Sequence, residues 1–258
     1  MKLALVTGGA HRVGAVISGA FAEAGYAVAI HSHRSDEPEA GLREILDRTK
    51  ARWAIFRGDF QIEADVLRLV DDVADAFGRP PDCLVNNASI FGGSDWTTAG
   101  LGEFTENYQV NTIAPILIAR QLAARVGPDG RATVINLVDQ AVRHPTVDHA
   151  AYTLSKMALE QATLAMAQAM APALRINAVA PGLNLPTDDY APDQIDRLAA
   201  MMPLRQLPAP ADIAEAVLYL ANARSVVGQT LFVDAGASMI NFGRDFIHLG
   251  LGTDDAPR

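Results

Sequence analysis

Short, unbroken apolar runs punctuate the chain at intervals: KLALV (2–6), AVAIH (27–31), WAIFR (53–57), CLVNN (83–87), ATVINLV (132–138), RINAVA (175–180) and TLFVD (230–234). They are continuous rather than alternating, which is the pattern of strands covered on both faces. Between them, apolar residues recur at helical spacing over 14–24, 36–50, 62–77, 101–125, 150–171 and 211–222. Strands alternating with helices, joined by right-handed crossovers, predict an α/β fold: a doubly wound parallel sheet of seven strands with helices on both faces. No linker or repeat interrupts the pattern, so residues 1–258 read as a single domain. The stretch PGLNLPTDDYAPDQ (181–194) has no period and is read as part of a substrate loop over about 182–210. The tail, about 236–258, reads either as a frayed end or as an oligomer contact.

Composition narrows the class. Half of the 258 residues are hydrophobic, enough for a sizeable core. A net charge of −9 gives no reason to expect nucleic acid or an anionic membrane as partner. The one cysteine, Cys83, lies in an apolar run, so disulfide and cysteine–metal frameworks are excluded and a buried packing role is expected. The apolar start MKLALV is too short for a signal peptide, and no window approaches a membrane span; a cytoplasmic protein is expected.

In such a sheet ligands bind beyond the carboxyl ends of the strands. After the first strand comes TGGAHRVG (7–14), opening a helix. A glycine turn at a helix N-terminus offers free N–H groups and a positive dipole end to a phosphate. Packing alone also produces such turns. Arg12 is unexpected there, because a small residue would let a phosphate approach more closely. After the second strand, HSHRS (31–35) places His31, His33, Arg34 and Ser35 where an adenine ribose lies, and the first acid is Asp36. Guanidinium, imidazole and hydroxyl donors suit a 2′-phosphate, so NADP is expected over NAD. The competing reading is a solvated helix start capped by Ser35. Asp59, after the third strand, either receives the adenine amine or caps a helix.

Tyr152 and Lys156, in AAYTLSKMAL, project from one face of a helix. The ammonium is expected to lower the phenol pKa and make Tyr152 a proton donor or acceptor near neutral pH. Asn86–Phe91, NNASIF, follows the fourth strand; Phe91 is either a stacking platform for a flat ligand or ordinary core. Asn111 sits in the middle of a helical pattern, where asparagine is a poor helix former, and so points to a specific hydrogen-bonding task.

Together these motifs resemble the short-chain dehydrogenase/reductase family over nearly the whole chain. T-G-x-x-x-G-x-G maps onto 7–14, with Arg12 for the middle glycine. N-N-A-G maps onto Asn86–Ser89, with serine for glycine. The Asn-Ser-Tyr-Lys tetrad maps onto Asn111, Asp139, Tyr152 and Lys156, and the P-G before the substrate loop onto Pro181 and Gly182. Asp139 replaces the serine that donates to a ketone, and an ionised carboxylate cannot donate. Arg12, H-x-H-R-S, N-N-A-S-x-F and the aspartate resemble, as a set, the branch of pteridine and dihydromonapterin reductases. That resemblance implies a Rossmann-type fold, NADP(H) as cofactor, a pterin as substrate and a homotetramer. It implies catalytic roles for Asn111, Asp139, Tyr152 and Lys156. It implies cofactor contacts from Gly8, Arg12, Val13, Gly14, His31, His33, Arg34, Ser35, Asp59, Phe60, Asn87, Ala88, Ser89, Tyr152, Lys156, Pro181 and Gly182. Substrate would meet Arg12, Ser89, Phe91, Asp139, Tyr152, Leu183 and Tyr190. No metal is implied.

Three other readings remain open. One is a reductase of a ketone or quinone that has drifted at position 139. Another is an enoyl reductase, disfavoured because Leu159 stands where that branch has its lysine. The third is a regulator that senses NADPH without catalysis, disfavoured by the intact Tyr152 and Lys156.

Overall fold

The computed structural model describes residues 1–185, 190–191 and 193–251. The parts of the expected substrate loop and tail at 186–189, 192 and 252–258 lie outside them. Seven parallel strands form one sheet: β1 (Leu3–Val6), β2 (Ala27–Ser32), β3 (Trp53–Arg57), β4 (Cys83–Asn86), β5 (Ala132–Leu137), β6 (Leu174–Pro181) and β7 (Thr230–Val233). Their order is β3-β2-β1-β4-β5-β6-β7, so the winding reverses between β1 and β4 and leaves a crevice there. The expected architecture and all seven strands are present.

Helices α1 (Arg12–Glu23), α2 (Ala40–Thr49), α3 (Glu63–Phe77), α4 (Leu101–Tyr108), α5 (Ala114–Val126), α6 (Ala150–Ala169), α7 (Gln194–Met201) and α8 (Pro210–Asn222) cover both faces. On one face Phe21 and Ile17 of α1 pack with Val6, Ile30 and residues of α2 and α8. On the other, Val66, Val70 and Val73 of α3 pack with Ile118 and Leu122 of α5. Each such fully buried side chain contributes ~1.5–3 kcal/mol over its exposed state, which holds the strand ends in fixed register. Cys83 is buried on β4, as expected of a packing residue. Among the described residues, no helix is long and apolar enough to cross a membrane.

Four expectations change. The helix expected over 36–50 begins only at Ala40, because Pro38 restricts the residue before it and Glu39 is engaged elsewhere. Its backbone N–H donates to Ala10 O, and its carboxylate accepts the N–H of Arg12. The helix expected over 101–125 is interrupted by a π turn, Gln109–Ile113. Pro115 has no N–H to return to the carbonyl of Asn111, and the wider turn absorbs that gap. The substrate loop expected over about 182–210 contains a helix, α7, which starts at the last residue of the aperiodic stretch 181–194. In the described part of the tail, residues 243–250 pack back against their own chain rather than fray.

Candidate active site

The turn after β1 is built by three residues that allow close approach. Gly8 has φ +60, and a Cβ on Gly14 would lie 2.1 Å from the Gly8 carbonyl oxygen. A Cβ on Gly9 would meet Ser18 Oγ and Val6 O at 2.8 Å. Ser18 Oγ instead donates to Gly9 O (2.9 Å) and locks the turn to α1. Thr7 Oγ1 accepts the N–H groups of Asn87 (2.9 Å) and Ala88 (3.0 Å), while Asn87 Nδ2 donates to Thr7 O and Gly8 O. The first and fourth strand ends are thereby tied into one wall of the crevice. Asn87 and Ala88, expected at the cofactor, shape its cradle through these bonds.

Arg12 has φ 55, an uncommon conformation for a residue with a side chain. The strain is held by Glu39, and the guanidinium crosses the crevice so that Nη2 donates to Leu185 O (3.2 Å). Arg12 thus links the glycine turn to the substrate loop, and Val13 beside it lines the same cavity.

The second-strand group divides in two. His31 is 2% exposed. Its Nδ1 accepts the N–H of Gly8 (3.2 Å), and its Nε2–H donates to Gly58 O (3.1 Å). Burial holds its pKa at about 4, so the ring is neutral. It stacks on Phe60, with centroids 4.2 Å apart, and Phe60 is itself buried. His31, expected among the donors to a 2′-phosphate, is too dry for that task; it and Phe60, expected as a cofactor contact, form a support beneath the turn. His33, Arg34 and Ser35 stand at the mouth. His33 Nε2 lies 3.4 Å from Asp59 Oδ2, and Ser35 Oγ lies 2.6 Å from His11 Nε2. Ser35 does not cap α2, whose N-cap is Glu39. Asp59 Oδ1 accepts the N–H of Gln61 in a turn, leaving its other oxygen beside His33.

Below the crevice lies a cavity of about 440 Å³. Tyr152 O–H donates to Asp139 Oδ2 (2.8 Å), and Asp139 Oδ1 accepts the N–H of Ala141 (2.8 Å). Burial, partly offset by these bonds, raises the Asp139 pKa and favours its protonated form. The Tyr152 pKa is pushed well up by burial and by the Asp139 charge. The expectation that Lys156 makes Tyr152 more acidic is thus not met: burial above all, and then Asp139, keep the proton on the phenol. Lys156, 3% exposed, donates Nζ–H to Leu137 O (2.8 Å), and burial lowers its pKa to about 8.

Phe91 is 62% exposed at the cavity rim, edge-on to Tyr152 with centroids 4.8 Å apart. It is not core, and one face is available to a flat ligand. Ser89 Oγ donates to Asn111 Oδ1 (3.0 Å). Asn111 is fully buried; its Oδ1 also accepts the N–H of Ile90, and its Nδ2 donates to Ile90 O and Ser155 Oγ. It holds the loop that carries Ser89 and Phe91 and does not open onto the cavity, so it is a positioning residue rather than a catalytic one. Pro181, Gly182, Leu183 and Tyr190 line the cavity as expected. Gly182 lets β6 pass β7: a Cβ would lie 2.9 Å from Asp234 Cα.

Asp245, Phe246 and Ile247 also line the cavity, and sequence reasoning missed them. Their partners, Asp148 and Gln194, are distant in sequence, and no local period marks the tail.

The glycine turn, the N-terminus of α1 and the exposed donors at 33–35 fit a dinucleotide whose 2′-position carries a phosphate. A protein-family model described as enoyl-(acyl carrier protein) reductase matches residues 8–238. A putative ketoacyl reductase of granaticin polyketide synthase from Streptomyces violaceoruber is 32% identical, over 92% of this chain and 96% of that protein. Pteridine reductase 1 from Leishmania tarentolae is 29% identical, again over 92% and 96%. A crystal structure of FolM alternative dihydrofolate reductase 1 from Brucella suis, in complex with NADP, superposes with a TM-score of 0.86 at 32% identity, covering 93% of this chain and 96% of that one.

Proposed function

Because the chain belongs to the short-chain dehydrogenase/reductase family, we propose that it is an NADPH-dependent reductase that saturates the C=N bond of a dihydropterin. The observation that carries this reading is Asp139 bonded to Tyr152 beneath an exposed aromatic ring, Phe91. A ketone needs two hydrogen-bond donors at its oxygen, and Asp139 stands where one of them would be. A pterin instead presents N–H groups that a carboxyl oxygen accepts even while the acid holds its proton, and a flat ring that stacks on an aromatic face. The relatives named pteridine reductase and dihydrofolate reductase support the same class, with dihydromonapterin, dihydrobiopterin and dihydrofolate as candidates.

Gly8–Gly14 and the N-terminus of α1 would hold the pyrophosphate, and Arg34 with His33 and Ser35 would hold the 2′-phosphate. Lys156 would hold the nicotinamide ribose, and Pro181 and Gly182 would border the nicotinamide. Bound NADPH supplies the hydride to the ring carbon. The matching proton comes from this chain. Protonated Asp139 donates to the Tyr152 oxygen, and the Tyr152 hydroxyl donates its own proton to the ring nitrogen. The C=N bond gains one hydride and one proton, Asp139 is left ionised, and solvent reprotonates it. Phe91 and Arg12 orient the ring, the latter through its planar guanidinium. The pair does not need tyrosinate, which agrees with the elevated phenol pKa.

The ketoacyl reductase relative favours a second reading, reduction of a ketone or quinone. Purified protein with NADPH, assayed against a dihydropterin panel and a carbonyl panel, separates the two. Higher kcat/KM on dihydropterins is expected; turnover confined to carbonyls overturns the proposal.

A further inference from the structure

The tail is fastened over the cavity from two sides. Gln194, fully buried at the start of α7, places Nε2 within hydrogen-bond distance of the carbonyl oxygens of Phe246 (3.3 Å), Ile247 (3.1 Å) and Leu249 (2.7 Å). Asp148, before α6, accepts from Arg244 Nε (2.9 Å) and from the backbone N–H of Asp245 (2.8 Å). Val147 N–H donates to Gly243 O. Between these anchors Asp245 turns into the cavity. Its Oδ1 accepts the N–H of Ile247 (3.0 Å) and starts a short turn. Among the described residues its other oxygen takes no hydrogen bond.

A second carboxylate therefore faces the cavity that already holds Asp139. Two acids share one half-dry pocket, which keeps the proton on Asp139, and a ligand that offers N–H groups satisfies the carboxyl oxygens that both turn into it. A ligand bearing only acceptors gains nothing from Asp245, and an anionic one is repelled. We propose that Asp245 is a substrate-recognition residue: with Asp139 it grips the amino-substituted edge of the heterocycle and selects N–H-rich rings over carbonyl compounds. This rests on the pterin reading above.

The Asp245 charge also bears on the reacting pair, raising the pKa of both Asp139 and Tyr152. The charged and titratable groups around it are Asp139, Tyr152, Lys156, Arg12 and Tyr190 on the cavity, with Asp148, Arg244 and His248 around the tail. Removing its charge lets Asp139 lose its proton at lower pH, so the limb of the kcat profile that reports this deprotonation moves to lower pH.

The test is calorimetric titration of 2,4-diaminopteridine into the full chain saturated with NADP, for wild type, Asp245→Asn and Asp245→Ala. Asparagine keeps the acceptor that caps the turn and removes the charge. The expected result is binding about tenfold to a hundredfold weaker in both variants, as befits a lost hydrogen bond to a charged group, with NADP affinity within about twofold. Asp245→Asn binding as wild type overturns the proposal, and a loss confined to Asp245→Ala does so as well, assigning Asp245 to the turn alone. Wild-type protein that binds no aminopteridine overturns the pterin reading and this assignment with it, and that outcome is visible without any variant.

Discussion

Replacing Asp139 by asparagine separates the acid from its shape. The asparagine oxygen still accepts the Ala141 N–H, so the local turn persists. Its amide nitrogen then faces Tyr152, and the phenol accepts where it had donated at 2.8 Å. Tyr152 keeps one proton for the substrate but has no neighbour to replace it. The hydrogen bond is thus kept with its direction reversed, and what is lost is the proton relay. Positioned acid–base groups contribute ~10²–10⁴-fold, so kcat is expected to fall about 10²–10³-fold, or ~3–4 kcal/mol. KM for NADPH should change little. The same substitution carries an opposite signature in stability. The folded-state pKa of Asp139 lies above its ordinary 3.8. The stability contributed by its neutral form is therefore complete below that value and lost as pH rises through the folded pKa. Asparagine stays neutral throughout, so Tm should exceed wild type at alkaline pH and converge with it in acid. Stopped-flow single turnovers give the rate and differential scanning fluorimetry across pH gives Tm. Wild-type rates, or a variant less stable than wild type at alkaline pH, would refute the reasoning.

Two further substitutions probe the ends of the crevice. Arg34→Ala should raise KM for NADPH about tenfold to a hundredfold, as expected for a lost guanidinium–phosphate contact, while leaving KM for NADH within about twofold; equal effects on both would exclude a 2′-phosphate contact. Arg12→Gly relieves a left-handed conformation that costs ~1–2 kcal/mol, so Tm should hold or rise, while pterin affinity falls because the span to Leu185 is lost; unchanged pterin affinity in steady-state assays would reduce Arg12 to a loop variant.

What could be read from the chain was whatever repeats locally. The seven strands stand out because each is a continuous apolar run, and Tyr152, Lys156 and Asp139 stand out because strand ends and one helical turn bring them together. Positions 31 and 33 look equivalent in HSHRS. Alternation would put both on one face, but β2 ends at Ser32, so His31 stays in the sheet's dry interior and His33, just past the strand, is outside. Neither the burial of that strand end nor the stacking partner Phe60, from beyond another strand, is written in the local sequence. Asn111 drew attention as a misfit in a helix, correctly, but its partners Ser89, Ile90 and Ser155 lie on separate segments, so its supporting role needed coordinates. The Tyr152 pKa went the other way because sequence spacing reports a lysine nearby and cannot report burial. The tail was illegible for a similar reason: Gln194 and Asp148 hold it from far along the chain.

The latch made by His31 has a consequence for anyone who would change the cofactor preference of this scaffold. Its ring clasps the turns after β1 and β3 at once, accepting from Gly8 and donating to Gly58, and only the Nε2–H tautomer can do both. An acid placed at 31, the first position after the apolar part of β2, would sit in a dry seat with one contact reversed. It would loosen the pyrophosphate turn without ever meeting a ribose. The discriminating part of this strand end starts two residues later. In the proposed cofactor site, exchange of a 2′-phosphate for a hydroxyl is thus a problem for His33, Arg34 and Ser35, with His31 left as the fixed hinge pin about which those three can be redrawn.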